Sequence, residues 1–252
     1  MANGKSFLPD PKNIVQTIEF NQAAHVAAAA NAKAAPPTFR ILRTNELDPY
    51  EKQKSHDTIA ASAVKAAAGG DAFAGTDRKK AKLSISNAKV EKFGDLSALL
   101  TSLPSDAKMA AHKPKIATNA ASGRVQEEER NVSVDVWLYA ASRENDNDYH
   151  IIIGRDPDDT DRRYMNAEIS GLPPANSSAR AKLESVRTSF AAIVQQQTPG
   201  LGYDFYDPPV AITVQGSLFF DMTHAKGSKP GPASVKPKTI WEFHPITSIK
   251  PR

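Results

Sequence analysis

The chain has 252 residues with 32 Lys+Arg, 28 Asp+Glu and no cysteine, which excludes disulfides, thiolate metal sites and cysteine nucleophiles. Its 40% hydrophobic content suffices for one ordinary core plus a long appendage. Residues 131–252 carry 13 Lys+Arg against 14 Asp+Glu, so the positive excess lies wholly in residues 1–130 and marks no dedicated polyanion-binding face in the second half.

Residues 1–82 read as an Ala-rich N-terminal arm and linker. A short apolar patch (Ile14, Val15, Ile18) precedes an Ala-rich run from Ala23 to Ala35, which His25, Asn31 and Lys33 interrupt. That run lacks the aliphatic bulk of a signal peptide or membrane span, so a soluble chain is expected and its location stays open. One weak helix is expected in the arm, then a strand over Thr38–Arg43 and a helix over Asp57–Ala68 that Gly69-Gly70 ends. Asp71–Lys82 reads as a connector. An arm of this composition suits a protein partner that orders it on contact, as in a structural component of a larger assembly.

Residues 83–130 read as a strand-helix segment packing on the unit that follows. Leu83–Val90 alternates as a short strand. Asp95 offers an N-cap to a helix whose Leu96, Leu99, Leu100 and Leu103 recur at helical spacing until Pro104. Ser105–Arg130 is polar and irregular and closes with three consecutive glutamates at 127–129, taken as the boundary.

From 131 to 252 the pattern changes. Strand-like runs cover Val132–Ala141, Tyr149–Arg155 and Tyr164–Leu172, a helix Ser178–Gln196, and further strands Val210–Asp221 and Thr239–Lys250. Val132, Val134, Val136 and Leu138 share one face of the first strand, and Val210, Ile212, Val214, Leu218 and Phe220 one face of the fourth. The helix carries Ala179, Leu183, Val186, Phe190, Ile193 and Val194 on one stripe. Five strands with a helix after the third are the makings of a small OB-like barrel whose floor the helix seals. The predicted fold is therefore mainly β with α: this five-stranded barrel preceded by a partly irregular N-terminal α/β segment.

Two constellations carry chemistry. Asp221, His224, Glu242 and His244 are a candidate divalent-metal set, because Glu242 and His244 share a strand face and the fourth strand can bring Asp221 or His224 beside them. The plain alternative is a set of hydrogen-bonded structural pairs. Lys226, Lys229, Lys236 and Lys238 stud the Gly/Pro-rich loop between the last two strands, where an OB-type groove would let them meet phosphates while Trp137 or Tyr139 stacks on bases. His150, in the second strand, is a further candidate ligand contact. The other flanking loop, Arg143–Asp148, is acidic on balance. Arg155–Arg163 lacks the glycine and closing glutamate of a calcium loop and reads as a hairpin connection.

Asp148-Tyr149-His150, Gly216–Asp221 with its Phe-Phe-Asp and His224, and Trp241-Glu242 with His244-Pro245 resemble the signature of a family of uncharacterised bacterial proteins. The resemblance covers about half the chain, from Val132 to Ile249. It implies a unit boundary and singles out His150, Asp221, His224, Glu242 and His244 without assigning roles. The functional expectation is a non-enzymatic binding module for nucleic acid or another polyanion. The alternative is a metal-assisted hydrolase using the Asp/His/Glu/His set, with a divalent metal as cofactor.

Overall fold

The computed structural model describes residues 6–20, 38–48, 70–225, 227 and 229–252. The Ala-rich run, the expected helix over Asp57–Ala68 and Lys226 lie outside the described residues. The strands are β1 (Ile14–Glu19), β2 (Arg40–Thr44), β3 (Val90–Phe93), β4 (Asn131–Arg143), β5 (Tyr149–Gly154), β6 (Tyr164–Ile169), β7 (Asp204–Phe220) and β8 (Trp241–Pro251). The helices are α1 (Lys79–Lys82), α2 (Leu96–Ser102), α3 (Asp106–Ala110) and α4 (Arg180–Ile193). Among the described residues no helix is long and apolar enough to cross a membrane.

The protein is mainly β, and the eight strands among the described residues form one sheet in the order β1-β2-β7-β8-β6-β5-β4-β3. β7 also pairs with β4, so the ladder running β4-β5-β6-β8-β7 returns to β4. Seventeen residues let β7 serve three neighbours: β2 at its start, β4 along most of its length and β8 toward its end. β6 and β8 run parallel, as do β3 and β4; the other pairs are antiparallel. Gly216 opposes Val132, and a Cβ there would stand 2.5 Å from the Pro245 carbonyl oxygen, so glycine lets β8 approach where its pairing with β7 shifts register.

The alternation read in the sequence sets the interior. Val134 faces Val214 and Val136 faces Ile212 across the β4-β7 ladder, and all four are buried. The stripe of α4 is buried as well, with Val186, Phe190 and Ile193 in the main core cluster against the sheet interior. Each such aliphatic or aromatic side chain contributes roughly 1.5–3 kcal/mol. The other face of β7 is not uniformly solvated: Ser217 and Phe219 are buried too, beneath residues 78–86.

Upstream of β4 several expectations need correcting. Ile14–Glu19, read only as an apolar patch in the arm, is a strand, because its β-branched residues gain a ladder with β2. The strand expected at Leu83–Val90 begins only at Val90, where it meets β4. The connector is built in: Arg78, left-handed at φ +48°, is buried and forms a two-pronged ion pair with Glu128 at 2.7 Å for each prong. Asp95 caps α2 as expected, accepting from the Ser97 amide at 2.6 Å.

Candidate functional site

At one end of the sheet a cavity of about 400 Å³ is lined by charge. Each wall follows from register. His150 on β5 is paired with Glu168 on β6, so their side chains lie on one face. Asn166 projects from the same face of β6 two residues earlier and is paired with Glu242 of β8. β4 ends at Arg143, and the turn that follows delivers Glu144 and Asp146 to the lining, while Asp148 is buried against the Gly171 amide and His244. Asp221 follows β7 and caps the short turn Met222–His224. Lys82, at the end of α1, completes the lining.

The imidazole of His150 is the hub. Its Nδ1 lies 2.9 Å from Glu144 Oε1 and 3.1 Å from Glu168 Oε1, while Nε2–H donates to Asn166 Oδ1 at 3.0 Å. Burial disfavours the charged ring, but Glu168 and Glu144 outweigh it and raise its pKa well above the ordinary value. Against the same burial, the His150 hydrogen bond and charge hold Glu144 down to about 2. Glu168 is driven well upward by burial, and its Oε2 is buried without a hydrogen-bond partner. Burial, reinforced in each by a neighbouring carboxylate, raises Asp146 to about 8 and Asp148 to about 7.

The sequence-derived metal set divides into two pairs. Asp221 accepts from His224 Nδ1 at 2.6 Å, and His244 Nδ1 lies 3.2 Å from Glu242 Oε1. Despite burial, the His224 hydrogen bond and charge keep Asp221 well below the carboxylate range, and Asp221 in return raises His224. His244 is fully buried. That burial, with the charge of Lys82, lowers it to about 4, and its Nε2 stands 3.3 Å from Asp148 Oδ2 without hydrogen-bond alignment. Asp221, His224 and Glu242 line the cavity but do not converge with His244 on one point. Among the described residues it is Glu144, His150 and Glu168 whose ligand atoms all lie within 4.8 Å of one another.

The candidate polyanion contacts lie elsewhere. Lys229 pairs with Asp106 at 2.8 Å, and Lys236 donates to the Gly231 carbonyl at 2.9 Å. Lys238 lines a different cavity beside Trp241. Tyr139 is buried with its hydroxyl on the Arg155 carbonyl, and Trp137 is half-buried beneath the Arg252 guanidinium, 4.3 Å from its ring. Glu144, Asp146, Glu168, Asn166 and Lys82 were not singled out in the sequence. Residues 144–148 are nevertheless an unbroken polar run, Glu-Asn-Asp-Asn-Asp, leading into an apolar strand, and Glu168 is a carboxylate inside another apolar strand; both are signals in the sequence. Lys82 carried none. Comparison with protein-family models, curated proteins and solved structures returned no match.

Proposed function

We propose that β4, β5, β6, β7 and β8 form a five-stranded OB-like barrel and that its polar end is a divalent-metal hydrolase site held by Glu144, His150 and Glu168. The barrel reading is supported by the ladder that returns from β7 to β4 and by the position of α4 after the third of these strands. One observation carries the metal reading: two carboxylates and an imidazole lie within reach of a single ion, and one buried Glu168 oxygen has no other partner.

Three protein ligands leave coordination positions for water and substrate, the arrangement of a catalytic rather than a structural site. Asn166 accepts from Nε2–H and so turns Nδ1 toward both glutamates, the outer support that metal-ligating histidines require. Mixed carboxylate and imidazole donors suit Mn²⁺ or Zn²⁺. A bound ion lowers the pKa of its water toward neutrality. In the same cavity Asp221 favours the protonated form of His224, the form that would protonate a leaving group.

Calorimetry and thermal denaturation of chelator-treated protein test this. Saturable binding of Mn²⁺ or Zn²⁺ is expected, with stabilisation of about 2.7 kcal/mol at a hundredfold excess over Kd. Glu168→Gln and Glu144→Gln should abolish the shift, and metal should restore hydrolysis of chromogenic esters. Absence of saturable binding, or an equal shift in the variants, overturns the proposal.

A further inference from the structure

Lys82 presents the feature of the cavity that metal binding leaves unexplained. Among the described residues no carboxylate comes within ion-pair distance of its ammonium group, although Asp146, Asp221 and Glu242 line the same cavity. Its ammonium group stands over the face of Phe219, 5.9 Å from the ring centroid. Its charge is nevertheless felt at Glu144 across the space. Asp146, Asp221 and Glu242 act on it only through space, so among the described residues no carboxylate engages its N–H donors directly.

The backbone that carries Lys82 is held from both sides. Arg124 donates to the carbonyls of Ala81 and Ser84 at 2.8 Å each, and also to those of Leu218 and His244. One guanidinium therefore ties the residues flanking Lys82 to the ends of β7 and β8, which also carry Asp221 and Glu242 into the cavity. The Arg78–Glu128 pair fastens the start of α1, with Glu128 accepting from the Phe220 amide at 2.9 Å. Such a clamp fixes where the ammonium stands.

We propose, building on the metal site above, that Lys82 is the anion-binding group of this cavity and that the substrates are phosphate esters. A tetrahedral phosphate offers one non-bridging oxygen to the metal and another to Lys82, and a cation clamp of this kind stabilises charge on a transferring phosphoryl group. The oxygen of water bonds to phosphorus as the bond from phosphorus to the ester oxygen breaks. One water proton remains on the phosphate released and the other is delivered to the alcohol. Carboxylates outnumber the cationic side chains along the lining, so the anion enters only after the metal.

The test is titration of the full-length protein with inorganic phosphate, with and without Mn²⁺, in wild type, Lys82→Met and Lys82→Arg. Wild type should bind phosphate only when Mn²⁺ is present. Lys82→Met should bind Mn²⁺ as tightly or more tightly, since a repelling charge is gone, yet bind phosphate at least tenfold more weakly; Lys82→Arg should recover part of the loss. Retained Mn²⁺ binding certifies that the variant site is folded. If wild type fails to bind Mn²⁺, the metal site falls and this inference with it. If Mn²⁺ binds and phosphate affinity is equal in wild type and Lys82→Met, the inference alone falls.

Discussion

Replacing Phe190 by alanine tests the arrangement on which the site depends. Phe190 is fully buried, its ring lies 5.3 Å from that of Tyr149, and it shares the main core cluster with Val186, Ile193 and Trp241. Tyr149 opens β5, so α4 buttresses the strand that carries His150. Losing the ring forfeits its transfer free energy and leaves a cavity in a close-packed interior, together roughly 3–5 kcal/mol. For a chain of this size that lowers Tm by roughly 6–20 °C. Leu183→Ala provides the comparison: Leu183 sits in a small separate cluster with Leu172 and Ala179, where collapse is easier, and should fall toward the lower end of the roughly 2–5 kcal/mol range for such truncations. Urea unfolding followed by tryptophan fluorescence and far-ultraviolet circular dichroism measures both. A loss below about 1 kcal/mol for Phe190→Ala would refute the claim that α4 seals this core.

Two further outcomes follow from buried charge. Arg78→Met or Glu128→Gln alone should lose roughly 3–5 kcal/mol by stranding a charge, while the double variant loses less than the sum; strict additivity in a denaturation cycle would show that the pair is uncoupled. His244, lowered to about 4 by burial and Lys82, is neutral in the folded protein at pH 7. Unfolding returns it to about 6.5, so its contribution is intact above pH 6.5 and disappears as pH falls toward 4, up to about 3 kcal/mol. His244→Gln should remove that part of the acid sensitivity, and parallel pH dependences of urea midpoints for wild type and variant would contradict the assignment.

The local alternation of Val132–Leu138 and Val210–Phe220, the stripe around Phe190 and the cap at Asp95 were legible in the sequence because each depends on periodicity or on one turn of chain. Composition likewise excluded cysteine chemistry outright. The site was half legible: His150, Asp221, His224, Glu242 and His244 all lie in or beside the cavity, yet the four expected to share one ion fall into two local pairs while His150 takes partners the sequence did not indicate. Register decided it, by setting His150 opposite Glu168 and beside Asn166, and by separating Asp221–His224 from Glu242–His244. Lys82 enters only because two arginines fasten a stretch that reads as a linker onto strands more than a hundred residues away. Periodicity reports which way a side chain points from its own strand, whereas the partner across a ladder depends on pairings between distant segments, and these exist only once the chain has folded.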